Sequence, residues 1–204
     1  MRRVPGSPAS GRQQPATGRP LRKEIPTGKR QLPLARVYRL LEPGPVVLLV
    51  TARNGKANVM PMSWHMMIDF EPPLLGCVVS DRNYSFKTLK ATKECTINVP
   101  TVALAPAVVG CGNSSGRTLD KFAAFGLTMV PATLVAPPLI RECYANLECR
   151  VVDTRFVSRY NLFVLQVLRA WRDPSVKAAR TMHHRGTGTF MVAGREIHLA
   201  SSKP

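Results

Sequence analysis

The dipeptide Asn54-Gly55, set between two runs of strand length, restricts the fold of this chain more than any other feature. Before it lies the β-branched stretch 45–51, Pro-Val-Val-Leu-Leu-Val-Thr, and after it comes a second run over 56–64. A two-residue hairpin loop needs positive φ at both central positions, which Asn-Gly tolerates best. The two runs are therefore expected to be antiparallel neighbours. Further strands are expected at 74–80, 95–99, 140–153 and 162–171, with closing pieces at 190–192 and 196–199 around Gly194. Short helices are expected at 34–41, 85–92 (Leu89 inward), 102–109 and 119–125, and the small residues of 110–116 read as a loop. No helix is expected between 140–153 and 162–171. Strands joined by turns rather than by crossover helices point to a mainly β (α+β) chain, an antiparallel barrel and not a doubly wound sheet.

Charge is unevenly spread along the chain. The 204 residues carry 29 Lys and Arg against 12 Asp and Glu, a formal +17. Residues 1–30 alone hold eight bases and one acid, five prolines, four glycines and only Val4, Leu21 and Ile25 as large apolar residues. Such a segment buries too little surface to offset its ordering entropy. Residues 1–30 are thus expected to be a disordered basic Pro/Gly-rich tail, and 31–204 the folded domain. Binding of a nucleic-acid polymer is not expected, since a single-strand platform needs surface aromatics. Aromatic residues are only 6% here, with none before Tyr38. No apolar run approaches the ~20 residues of a membrane helix, and no secretory signal follows the basic start. Five scattered cysteines, an odd number, suit a reducing cytoplasm better than a disulfide framework.

Most chemical signatures are missing from the sequence. There is no Walker motif, no nucleophile elbow and no zinc-ligand spacing. His183 and His184 are adjacent, so their rings diverge on any regular element. What remains is the stretch from Asn58 to Thr88. Ser63-Trp64 ends a strand with a hydroxyl and a broad π surface, and Arg82, Ser85, Lys87 and Thr88 gather cations and hydroxyls at the start of a helix. Free N–H groups at a helix N-terminus beside cations make a phosphate site. An apolar strand wall next to it suits a flat cofactor with one phosphate. By residue type alone, Met60, Met62, Met66, Met67 and Trp64 equally suit a plain core, and Arg82 and Lys87 a solvated loop face.

The ordered set of motifs resembles the flavin reductase-like family, whose fold is the FMN-binding split barrel. The matching pieces are Thr51-Ala-Arg-Asn-Gly55, Asn58 with Pro61-Met-Ser-Trp64, Pro72-Pro73 and Arg82-Asn-Tyr-Ser-Phe-Lys-Thr88. Then come Glu94-Cys-Thr-Ile-Asn-Val-Pro100, Asp120-Lys-Phe122 with Gly126-Leu127, Pro138-Leu-Ile and Leu147-Glu-Cys149. Ser63-Trp64-His65, with His183-His-Arg-Gly186 before Phe190, is similar to the flavoredoxin-like subgroup. The resemblance covers about residues 31–200. It implies an antiparallel split barrel of Greek-key type with short peripheral helices, and FMN in a groove at a homodimer interface. It places Met62, Ser63 and Trp64 along the isoalloxazine, Asn58 and Ser80 near the ring or ribityl chain, and Arg82, Ser85, Lys87 and Thr88 at the phosphate. His183 would approach the ring from the C-terminal segment. The activity it implies is NAD(P)H-dependent reduction of FMN, with electrons passed to a partner oxygenase or another acceptor. Its alternative is a flavoredoxin-like electron carrier with no reductase turnover of its own. Neither requires a catalytic side chain, because a flavin carries the redox chemistry itself.

Overall fold

The structure is a computed structural model and describes residues 28–37 and 44–200. Most of the basic tail, and residues 38–41 of the helix expected at 34–41, lie outside those residues. What is described of that helix is a single 3-10 turn, Leu34–Arg36.

The hairpin forms as its sequence demands. Strand β2 (Val47–Arg53) pairs with β3 (Lys56–Met62), Arg53 opposite Lys56, and the two turn residues have φ of 51° at Asn54 and 75° at Gly55. The other strands are β1 (Arg30–Leu32), β4 (His65–Phe70), β5 (Pro73–Val78), β6 (Glu94–Val99), β9 (Ala145–Asp153) and β10 (Leu162–Arg172). They build one eight-stranded sheet with the path β3-β2-β6-β9-β10-β5-β4, and β1 adds to β10. Every ladder is antiparallel. Two small pairs stand outside it: β7 (Met129–Val130) with β8 (Leu139–Ile140), and β11 (Met182–His184) with β12 (Phe190–Val192).

The two ends of the sheet path, β3 and β4, follow one another in the chain with only Ser63 and Trp64 between them. Chain continuity thus forces the sheet to curl until its free edges converge on that dipeptide, a barrel left open along one seam. Val78 N donates to Trp64 O at 3.0 Å and holds the junction against β5.

Strand β2 shows why its run of apolar residues does not alternate. Val47 and Leu49 enter the barrel core with Ile97, Leu147, Phe163 and Leu165. Leu48 and Val50 face the other way, into a second core with Val59, Val108, Cys111 and Phe122. A strand covered on both faces needs apolar residues throughout. The cover on the second face is helix α2 (Ala105–Asn113), which packs on β3. The remaining helices are α1 (Tyr84–Thr92), with Leu89 fully buried as expected, α3 (Lys121–Ala124) and α4 (Val157–Tyr160).

Several local expectations are corrected. The loop expected over 110–116 begins only after Asn113, because Gly110 and Gly112 belong to α2. A Cβ on Gly110 would lie 2.3 Å from the Phe125 ring, and one on Gly112 would lie 3.1 Å from Pro61. These glycines permit close packing; they do not mark a loop. The single strand expected over 140–153 is two strands, β8 and β9, broken by a turn. One helical turn, α4, does separate β9 from β10. Strand β4 was not expected at all, and residues 196–199 form no strand. The helix expected over 119–125 is shorter, fixed by Asp120, whose carboxylate accepts from Phe122 N and Ala123 N at 3.0 and 3.3 Å.

Lys29 and Arg30, counted with the tail by charge, lie in the folded body. Arg30 opens β1, and the buried Lys29 ammonium donates to Arg141 O at 3.2 Å and to Asn146 Oδ1.

Candidate functional site

Three cavities meet around Met60–Trp64, where the barrel seam lies. The first, of about 380 Å³, is polar and includes Asn58, Arg82, Ser85, Ser114, Ser115 and Lys121 in its wall. The second, of about 400 Å³, is apolar and sits between Met62, Trp64, Val108, His184 and Phe190. The third, of about 540 Å³, is bounded by Met62, Ser63, Trp64, Ser80, Arg159 and Tyr160.

The polar cavity is held rigid by its own hydrogen bonds. Asn58 on β3 and Ser85 in the first turn of α1 are both buried, and Asn58 Nδ2 donates to Ser85 Oγ at 2.8 Å. Gly116 presses against Asn58 so closely that a Cβ there would fall 1.9 Å from Asn58 Oδ1. Ser114 Oγ donates to Gly110 O at 2.8 Å. The N-cap of α1, Asn83, makes no side-chain capping bond; Phe86 N donates to Asn83 O at 3.1 Å, and Asn83, Tyr84 and Ser85 at the helix start line the cavity.

Lys121 is the principal cation of this cavity. It is 5% exposed, and its Nζ donates to Cys111 O at 2.7 Å. It pairs with no acid: among the described residues the ion pairs are Arg150–Glu94 and Arg155–Asp153. Burial pushes its pKa below the ordinary lysine value, only partly opposed by the nearby Cys111. A buried ammonium with donors to spare and no counter-ion costs free energy unless an anion arrives. Lys121, the α1 N-terminus, Ser85 and Arg82 border one cavity, an arrangement of donors and cations that can hold an anion.

The two apolar cavities flank the seam. Trp64 is 71% exposed, whereas Trp171 is buried with its Nε1 donating to Glu148 Oε1 at 2.9 Å. Of the two tryptophans, Trp171 belongs to the core and Trp64 to the site. His65, next to it in the chain, is anchored by Nε2 to Pro45 O at 2.7 Å, and burial lowers its pKa. A carbonyl partner requires Nε2 to carry the hydrogen. His184 packs against Phe190, the ring centroids 5.2 Å apart and the planes tilted by 52°.

Of the ten residues singled out from the sequence, Asn58, Arg82 and Ser85 line the polar cavity, and Met62, Ser63, Trp64 and Ser80 line the apolar ones. Lys87, Thr88 and His183 line none of the three. Lys87 is exposed on α1; Thr88 is half-buried there. His183 is buried, with Nε2 3.3 Å from Thr181 Oγ1. Alternation along β11 turns His184, not His183, toward the site. Ser114, Ser115, Lys121, His184, Arg159 and Tyr160 were missed. Lys121 and His184 had a signal, since Asp120-Lys-Phe122 and His183-His-Arg-Gly186 are among the family motifs.

Known proteins share the sequence family and the fold. Residues 39–190 match the model of the flavin reductase like domain. An uncharacterised Escherichia coli (strain K12) protein, YddH, is 30% identical over 178 residues, which is 80% of this chain and 94% of that protein. Among solved structures, an FMN-binding domain of a flavin reductases-like enzyme from Shewanella baltica superposes with a TM-score of 0.80 at 26% identity, covering 87% of this chain and 100% of that one. A flavoredoxin from Methanosarcina acetivorans superposes with a TM-score of 0.66, also at 26% identity, covering 78% and 89%.

Proposed function

The chain belongs to the flavin reductase-like family, and from that premise we propose that it binds FMN and catalyses NAD(P)H-dependent flavin reduction, passing electrons to a partner oxygenase or another acceptor. The observation that carries this reading is the buried, acid-free ammonium of Lys121 beside the uncapped start of α1, continuous with an apolar seam. A cofactor with one phosphate and a flat, mostly apolar ring fits that combination of walls.

Bound FMN supplies a ring that accepts a hydride from a nicotinamide and hands the electrons on. The residues of the chain bind and orient it. Lys121, Arg82, Ser85 and the α1 amides hold the phosphate. Asn58, fixed by Ser85 and Gly116, borders the path from the phosphate to the seam. Met62, Ser63, Trp64 and Ser80 bound the ring. His184 and Phe190 border the second cavity, so they limit what reaches the ring from that side.

A homodimer is part of the same proposal. Met66, Ile68 and Phe70 on β4 are 57%, 47% and 60% exposed, an apolar row on an edge strand that continues from Trp64. Such rows mark association surfaces. Among the described residues no helix is long and apolar enough to cross a membrane, and the five cysteines are free. The free thiols support a cytoplasmic setting.

A second reading, an electron carrier without reductase turnover, is favoured by the likeness to a flavoredoxin. Two measurements decide. The purified protein is expected to be yellow, or to quench FMN fluorescence on titration; a colourless protein that leaves FMN fluorescence unchanged sinks both readings. NADH or NADPH oxidation stimulated by free FMN then identifies the reductase, and its absence leaves the carrier.

A further inference from the structure

The third cavity is the largest of the three, and Arg159 is its sole charged lining residue. Arg159 makes no ion pair and no side-chain hydrogen bond among the described residues. Its guanidinium carbon lies over the Tyr160 ring, 5.2 Å from the centroid. Tyr160 is 53% exposed and Trp64 is 71% exposed, so two aromatic surfaces and one unspent guanidinium border the same space.

This wall is fixed in place. Val157 anchors α4 in the barrel core. Tyr160 N donates to Phe156 O at 2.8 Å, Asn161 closes the turn at φ 55°, and Val79 N donates to Asn161 O at 3.0 Å. The last bond ties α4 to the end of β5, one residue before Ser80. Arg159 and Tyr160 are therefore held at a set distance from the seam.

A planar guanidinium stacked on an aromatic ring keeps its outward N–H fork for a carboxylate, which it grips with two parallel hydrogen bonds. Aromatic surfaces favour a flat conjugated body. A volume of about 540 Å³ is of the size that holds small organic ligands. We propose that this cavity is a second ligand site beside the flavin, for a planar organic anion of the aromatic carboxylate type. The proposal rests on the flavin reading for its place next to the ring, while the cavity and its anion preference stand on Arg159 and Tyr160.

The test uses the FMN-loaded protein and calorimetric titration with benzoate and with benzamide, its uncharged counterpart. Benzoate is expected to bind at least ten-fold more tightly. Arg159→Gln is expected to remove that preference and leave FMN affinity unchanged, because Arg159 lies outside the polar cavity. Tyr160→Ala is expected to weaken both ligands together. Equal binding of the two ligands, a preference that survives Arg159→Gln, or displacement of FMN by benzoate overturns the proposal. If FMN does not bind, the flavin reading fails by itself, and the same pair of titrations on the unloaded protein still decides whether the cavity selects an anion.

Discussion

The polar cavity and the Arg159 cavity share Met60, Pro61 and Asn83 in their walls, yet they are built on opposite plans. In the polar cavity Asn58, Ser85 and Lys121 are buried and already bonded to their neighbours. In the other, Trp64, Arg159 and Tyr160 are exposed and make no side-chain hydrogen bond among the described residues. The contrast shows how one seam can serve two kinds of ligand. Rigid, pre-bonded groups lose little entropy when a phosphate arrives and hold a cofactor. Exposed aromatic and guanidinium surfaces accept a ligand that comes and goes.

The largest expected effect comes from destroying the rigid side. Gly116→Ala forces a methyl into Asn58 and is expected to cost about 1–3 kcal/mol of stability and to abolish FMN binding. Thermal melting and FMN titration read both. Lys121→Met comes next. Loss of a charged hydrogen bond is worth ~1.5–3 kcal/mol, roughly ten- to a hundred-fold in FMN Kd. Riboflavin, which lacks the phosphate, is expected to bind this variant as it binds the wild type. An equal loss for riboflavin would break the division between a phosphate end and a ring end.

The pH dependence follows from the same lysine and acts in two directions. Its pKa lies below 10.5, so FMN affinity is expected to fall as pH rises through that lowered value, as the ammonium loses its proton. Between that value and 10.5 the unfolded chain holds more protons than the folded one. Apoprotein stability is therefore expected to rise with pH in the same window. Opposite slopes in melting temperature and FMN affinity support the arrangement, and parallel slopes contradict it. Smaller again is Trp64→Ala, expected to weaken FMN and riboflavin alike by about 0.5–1.5 kcal/mol, the worth of an aromatic contact. Smallest are Lys87→Ala and Thr88→Ala, expected to leave FMN affinity within about two-fold, since both residues lie outside the three cavities; ~1.4 kcal/mol, or ten-fold, at either position would extend the phosphate site along α1.

The local parts of this molecule were legible where neighbours in sequence decide the outcome. Asn54-Gly55 dictates its hairpin because positive φ is a property of those two residues. Leu89 faces inward because of helix period. Strand β4 was not legible, since Met66, Ile68 and Phe70 point outward and leave no alternation of apolar-in and polar-out. The glycines of α2 were misread because their need arises from Phe125 and Pro61, which the fold brings against them.

The site divides in the same way. Arg82 and Ser85 could be found because one helix start carries both. Lys121 could be placed in a motif, but its reach to Cys111 and to the cavity of Asn58 depends on α2 and α3 packing against β3. Arg159 and Tyr160 sit on a single helical turn that no local pattern marks.

Residue order alone accounts for the antiparallel hairpin at Asn54-Gly55 and for the inward face of Leu89, both set by short-range sterics and periodicity. Long-range packing places Trp64 in solvent and Trp171 in the core, turns His184 rather than His183 toward the apolar cavity, and leaves the buried Lys121 with no acid partner among the described residues. Those outcomes depend on which surfaces meet when the sheet curls and its edges converge at Ser63 and Trp64, a closure no local segment encodes.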